Sequence, residues 1–409
     1  MKWYESILVR LMAVMAMLLS WVNVAHSSPN DSVKVLPDSS NFVTASLLIV
    51  SPANEIYSVF GHTAIRMECP VHNLDYVFTF ESDPSMSGFL TFFAGMAKAR
   101  FLAVPTTEFL RITKKEKRGV RQYELNLTHH EKQQLWRHLD EDMIKGEHRK
   151  FNLLLNNCVS MSVMKIQESC IDEYLDWGKQ EWPLTESNDV QLEYYCRYSP
   201  WMKFLSFTFF GSGFDTTYEM EYHITPELIV PVLKNADLVS TKDSSHRKLI
   251  LKGGRELIPN RTEVSQSPFT PTIVFGGLLL LTLFITFVEW RCKCKRAAQI
   301  LDIMLFTLQS LCGFLLVYIT FVSDIFGVNW NWYLIPFNPF PLVLWICLRK
   351  RRNYGRIYLL YMVVLLVFMA LTPLISQIDW THQLITASFL IRIIANYYKY
   401  KKTNRYGKK

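Results

Sequence analysis

Apolar positions are distributed very unevenly along this chain. In the first two thirds they come in short bursts among polar residues. Leu47–Val50 and Tyr76–Phe80 are apolar or aromatic runs of strand length, and Thr63–Met67 follows a Gly turn with strand-like alternation. Thr128-His129-His130-Glu131 has the spacing of a capping box, and Leu135, Trp136, Leu139 and Ile144 then line one side of a helix that Gly146 can stop. A second helix is predicted to open near Cys158. Asn156 or Asn157 can cap it, and Met161, Met164 and Ile166 follow at helical spacing. In the last third the pattern changes to long apolar stretches. Residues 272–290 and 357–375 are almost unbroken, and 300–322 is interrupted only by Asp302 and Gln309. About 20 apolar residues cross a bilayer. Two further stretches fit less cleanly: 333–348 is broken by Pro336, Pro339 and Pro341, and 381–398 contains Arg392.

Charge settles how these stretches are arranged. The net charge is +8, which by itself could suggest nucleic acid. Three short segments, 291–296, 349–356 and 399–409, hold fifteen Lys and Arg with no acidic residue, so the rest of the chain is net negative. Basic clusters beside apolar spans are a topology signal rather than a nucleic-acid surface. The loops 323–332 and 376–381 contain no Lys or Arg. All three basic segments lie on one side only if there are five crossings. The expected organisation is therefore a domain outside the membrane over about 45–257, five helices (about 272–290, 300–322, 333–348, 357–375 and 381–398), and a basic cytoplasmic tail. The N-terminus agrees. Lys2 and Arg10, the apolar run Leu11–Leu19 and then Ala25-His26-Ser27 make a secretory signal over 1–27, with an uncleaved anchor as the competing reading. The exported part is 28–264, beginning with a polar linker, and the membrane part is 265–409.

The exported domain is where chemistry can be sought. Of eight cysteines, Cys69, Cys158, Cys170 and Cys196 fall there. Cys170 and Cys196 could close a 27-residue loop, which would limit chain entropy by about 3–4 kcal/mol. Cys158 has a different setting, because it opens a helix after Asn157. Free N–H groups and the positive dipole end lower a thiol pKa there. A base is still needed, and His62 is the best candidate: Gly61 allows a tight approach and the residues after it alternate like a strand. Spacing alone also allows a buried structural thiol and a solvated histidine. No HExxH motif and no phosphate-binding Gly loop occurs, so neither metal nor cofactor is expected. The aromatic run Phe204–Phe210 reads either as a core strand or as a seat at the headgroup layer.

A histidine on a strand followed by a cysteine opening a helix resembles the circularly permuted papain-like fold, which includes acyltransferases that take acyl chains from phospholipids. The stretches Tyr57-Ser58-x-Phe60-Gly61-His62-Thr63-Ala64-x-Arg66, Asp75-Tyr76, Arg118–Leu127 and Leu155-Asn156-Asn157-Cys158 are more specifically similar to the Lnb-type lipoprotein N-acyltransferases. So are Asn329-Trp330-Asn331 and Pro336-x-Asn338-Pro339 in the membrane half. The resemblance implies an α+β, permuted papain-like periplasmic domain followed by a five-helix bundle in the bacterial inner membrane. It implies Cys158 as nucleophile, His62 as base and Asp75 as the residue orienting the imidazole, with Glu81 as runner-up. Arg66 would bind a lipid phosphate or serve as a structural ion-pair partner. The Asn157 and Cys158 N–H groups would form an oxyanion hole, and Ser58 and Tyr57 complete the candidate set. The implied partners are a phospholipid acyl donor, a diacylated apolipoprotein acceptor and the bilayer, with no nucleic acid. The rival functions are a cysteine peptidase or amidase, a phospholipase or thioesterase, and a membrane receptor without catalysis.

Overall fold

A computed structural model describes residues 43–292, 295–342 and 355–406, leaving aside 56, 83–87, 153–155, 179–187, 212–224, 252, 264–266, 326–327 and 375–379. The expected signal segment therefore lies outside the described residues. Described strands are β1 (Thr44–Val50), β2 (His62–Cys69), β3 (Leu74–Ser82), β4 (Ala97–Pro105), β5 (Val120–Glu124), β6 (Arg149–Phe151), β7 (Glu173–Asp176), β8 (Asp237–Ser240), β9 (His246–Lys248) and β10 (Arg255–Ile258). Helices in the same domain are α1 (Phe89–Phe93), α2 (Thr106–Lys115), α3 (His129–Lys145), α4 (Cys158–Ser169), α5 (Asn188–Tyr195), α6 (Pro200–Phe210) and α7 (Pro226–Asn235). The membrane half follows with α8 (Pro271–Cys292), α9 (Lys295–Val322), α10 (Gly355–Leu371) and α11 (Trp380–Tyr406).

The domain is α+β, built on a seven-stranded antiparallel sheet in the order β10-β5-β1-β2-β3-β4-β6, with a small sheet β7-β8-β9 beside it. Alternation along the strands separates two faces. Leu47, Ile49, Ile65, Met67, Phe78 and Phe80 pack with Leu135 and Leu139 of α3, with Val159, Met161 and Ile166 of α4, and with α7. Leu48, Val50, Ala64, Val77 and Val120 face Phe109 and Leu110 of α2. Both predicted helices form. Thr128 and Glu131 cap α3 reciprocally and Gly146 closes it in the left-handed region.

Four expected spans coincide with α8, α9, α10 and α11. Residues 332–339 turn, the chain is helical at 340–342, and the rest of the span expected over 333–348 lies outside the described residues. Pro271–Cys292 and Lys295–Val322 are long and apolar enough to cross a bilayer. Leu280, Phe284, Phe287 and Trp290 on α8, and Leu360, Val363 and Val367 on α10, are exposed. Side chains of this kind on a helix of this length belong against lipid. Arg392 of α11 is fully buried and saturated: it reaches Asp302 through Nε and Nη2 at 2.6 and 2.9 Å, and Glu289 and Thr286 through Nη1 at 3.0 and 2.9 Å.

Two corrections concern smaller elements. Phe204–Phe210 is helical rather than a strand, because Ser199 caps α6 and Pro200 starts it. It docks on the membrane half: Phe204 stacks on His382, Thr208 Oγ1 lies 2.8 Å from His382 Nε2, and Asn331 Nδ2 donates to the Thr208 carbonyl at 2.9 Å. Cys170 and Cys196 are both free thiols. They belong to different packing units, Cys170 beside the sheet core and Cys196 in the cluster shared with the membrane helices.

Candidate active site

The site lies at one end of the large sheet. Val50 at the end of β1 pairs with His62 at the start of β2 on one side and with Val120 on the other. The β2–β3 register matches Ala64 with Thr79 and, continued by two residues, sets Glu81 opposite His62. Gly61 makes the turn into β2 possible. Its φ is +80°, and a Cβ would stand 2.6 Å from the Val50 carbonyl oxygen, so only glycine fits. The preceding turn is held by Ser58, whose N–H and Oγ both donate to the Glu55 carbonyl at 3.0 and 3.1 Å. Ser58 therefore builds the turn.

Cys158 is the first residue of α4. The Asn157 side chain accepts from the Val159 and Ser160 N–H groups at 2.9 and 3.0 Å, and the Asn157 N–H donates to Ser160 Oγ at 2.9 Å. This last bond engages the Asn157 half of the expected oxyanion pair. The backbone N–H groups of Thr63, the residue after His62, and of Cys158 itself act to lower the thiol pKa. Burial pushes the thiol up to about 11, against the opposing pull of those N–H groups and Arg118. Burial also drives His62 down to about 3, with Arg118 adding to the shift. Both groups are consequently neutral at physiological pH.

The partner of His62 is Thr79, which the sequence reading did not single out. His62 Nε2 lies 2.5 Å from Thr79 Oγ1, and Thr79 Oγ1 donates to Glu81 Oε1 at 3.0 Å. A hydroxyl has one proton. If Thr79 gives it to the Glu81 carboxylate, it must accept from His62, so Nε2 carries the ring proton and Nδ1 keeps its lone pair. Glu81 also stands 4.0 Å from Nε2. Desolvation raises the Glu81 pKa, although 49% of its side chain stays accessible. The signal for Thr79 was the alternation Val77, Thr79, Glu81 on one face of β3; the register sets Glu81 opposite His62, and only the side-chain geometry shows the imidazole meeting Thr79, the neighbour on the diagonal.

Asp75 is not brought to His62. It lies opposite Glu68, further along β3. Arg66 grips both its oxygens at 2.8 and 2.7 Å and Thr106 donates to Oδ1 at 2.5 Å. Burial pushes the Asp75 pKa up, but the Arg66 and Thr106 bonds outweigh it and hold the carboxyl below its ordinary value. Arg66 is engaged in turn on all three nitrogens, by Asp75, Glu68 and Gln122, so of its two expected roles the structural ion pair is the one seen. Tyr57 is 69% exposed, and its phenol bonds to Glu116. In the sequence Arg118 is only the start of the stretch Arg118–Leu127. It is 7% exposed, donates through Nε to the Ser51 carbonyl at 2.9 Å, and pairs with Glu116 through Nη1 at 3.2 Å. Among the described residues no group of His, Cys, Asp and Glu is arranged to hold a metal ion.

Both halves of the site rest on the membrane half. Val59 and Phe60, just before Gly61, pack in one apolar cluster with Leu316, Ile319 and Ile325. The loop before Cys158 is closed by paired backbone bonds between Asn152 and Asn156, and Asn152 Nδ2 donates to the Asp324 carbonyl at 3.2 Å. Ser323 and Asp324 also bond the backbone of Phe93 and Ala94.

An α+β domain with a capped helix-start cysteine beside a histidine strand, seated on membrane-spanning helices, defines a membrane protein with its candidate site at the junction of the two halves. Family models match both parts: the Lnb N-terminal periplasmic domain over residues 38–183 and the Lnb transmembrane domain over residues 263–403. The chain belongs to the Lnb family of lipoprotein N-acyltransferases, membrane proteins with a periplasmic domain. No curated protein and no solved structure matches it.

Proposed function

We propose that the protein moves an acyl chain from a phospholipid, through a thioester on Cys158, to the α-amino group of a diacylglyceryl-cysteine on an apolipoprotein. The chain would cross the bacterial inner membrane five times and work on its periplasmic side. The observation that carries this reading is the seating of both site loops on the membrane half, through Val59–Phe60 and Asn152–Asp324. Both substrates keep their acyl chains in hydrocarbon while the ester and amine sit at the interface. A site lifted clear of the bilayer would have to extract each lipid at about 0.8 kcal/mol per CH₂.

In the first half-step His62 Nδ1 takes the thiol proton as sulfur attacks the ester carbonyl, and the oxyanion faces the Cys158 N–H. Collapse forms the thioester, and the departing alkoxide takes the proton from His62 to leave as lysophospholipid. In the second, the amine attacks the thioester, His62 accepts the amine proton, and the thiolate leaves and is reprotonated. Splitting amide synthesis into two acyl transfers is the usual gain of covalent catalysis. Because burial keeps both groups neutral at rest, the ion pair forms only as substrate arrives. Thr79, backed by Glu81, takes the orienting role first expected of Asp75.

The test is purified full-length protein in detergent given a phospholipid and a diacylated lipopeptide with a free N-terminus. Mass gain of one acyl chain is expected, and Cys158→Ala should abolish it without changing the melting temperature by more than about a degree or two. Free fatty acid in place of acylated peptide would indicate a hydrolase. Acyl transfer by the alanine variant would overturn the thioester route.

A further inference from the structure

Arg118 has a property that its structural contacts do not explain. Its guanidinium is more than nine-tenths buried, Nε and Nη1 are bonded, and Nη2 has no hydrogen-bond partner among the described residues. Leaving a charged donor buried and unsatisfied is costly, and burial does push the Arg118 pKa down. Placement gives the reason for tolerating it. Arg118 precedes Val120, which stands in the strand row Val120–Val50–His62, and Ser51 fixes its head at the same sheet end. His62, Cys158, Glu81 and Tyr57 all feel its charge. Arg66, the other arginine considered for this role, already has a partner on each of its three nitrogens.

Building on the acyl-transfer reading, we propose that Arg118 is the headgroup-binding residue of the acyl donor, its unpartnered Nη2 donating to a phosphodiester oxygen of the phospholipid held beside Cys158. A guanidinium matches phosphate geometry, and fixing Nε and Nη1 beforehand leaves little entropy to lose on binding. Only the donor carries this phosphate; the diacylglyceryl-cysteine acceptor does not. Arg118 therefore distinguishes the two lipids that must visit one thiol in turn, and the lysophospholipid product retains the group that binds it.

The test reads the first half-step alone, as acyl-enzyme formed by full-length protein in detergent and measured by intact mass. Donors are a phospholipid and a fatty acyl p-nitrophenyl ester, which has no phosphate. Arg118→Gln should slow acylation by the phospholipid about 10- to 100-fold more than it slows acylation by the neutral ester, the scale of one lost charge-assisted bond; any change with the neutral ester reads the loss of the arginine charge beside His62 and Cys158. Arg118→Lys should fall between. Equal slowing with both donors, or no slowing with either, would overturn the proposal. Wild-type protein supplies a check that needs no variant: lysophospholipid should inhibit acylation at least tenfold more strongly than the monoacylglycerol with the same chain. Equal inhibition by the two, or inhibition by inorganic phosphate matching the lysophospholipid, would overturn it as well. Loss of the acyl-enzyme in wild type with every donor would instead count against the thioester reading itself.

Discussion

At the residue scale, the positions of single protons decide what His62 can do. The relay from Nε2 through Thr79 to Glu81 leaves Nδ1 bare. Thr79→Val removes the acceptor for Nε2–H without changing volume much, so turnover should fall about 10- to 100-fold. Thr79→Ser should restore most of it, and melting temperature should hardly move in either variant. A drop that serine does not rescue would point to packing rather than orientation. His62 also links stability to pH. Its folded pKa is about 3 against an ordinary 6.5, so below about pH 6.5 the unfolded chain takes up a proton that the folded chain refuses. Its contribution is fully present above 6.5 and is lost progressively as pH falls toward 3. In a melting series across that window, His62→Gln should gain on wild type as the pH drops; parallel curves would contradict the buried, neutral imidazole.

At the element scale, the start of α4 sets the position of the sulfur. The Asn157 cap fixes the first turn, and a cap of this kind contributes about 1 kcal/mol. Asn157→Ala should cost roughly that in denaturant unfolding and also slow acylation, because Cys158 is the next residue. Asn157→Asp keeps a capping oxygen but adds negative charge beside a developing thiolate. Its stability should match wild type while acylation stays slow, and that split separates the mechanical part of the cap from the electrostatic part. If aspartate restores the rate, the charge at this helix start is irrelevant to the thiol.

On the scale of the whole molecule, the two halves meet by polar contacts at their junction and the membrane helices are tied by a buried ion cluster. Arg392 satisfies Asp302, Glu289 and Thr286 at once. Arg392→Met should cost about 3–5 kcal/mol in detergent-induced unfolding, because Asp302 is left buried without a counter-charge while Glu289 keeps only Lys399. A loss below about 1 kcal/mol would show that the cluster does not hold the helices together.

Local signals were enough for a good part of this protein. Capping residues and periodicity marked α3 and α4, including the placement of Cys158 at a helix start, because both depend on neighbours within a turn. Long apolar runs marked α8, α9 and α10, since membrane crossing depends on length and composition, and the placement of the basic segments marked α11, whose stretch contains Arg392. The orienting partner of His62 could not be read this way. Asp75, Thr79 and Glu81 all lie on β3 within seven residues; strand register excludes Asp75, and the direction of the His62 side chain, set by tertiary packing, selects Thr79 over the directly opposite Glu81. The same holds for Arg118, whose Nη2 is left unpartnered while Ser51 and Glu116 engage the other nitrogens, and for Arg66, engaged on all three nitrogens by its neighbours across the sheet. Sequence supplied the reactive side chains; pairing across the sheet and docking on the membrane helices decided which of them were left open to a substrate.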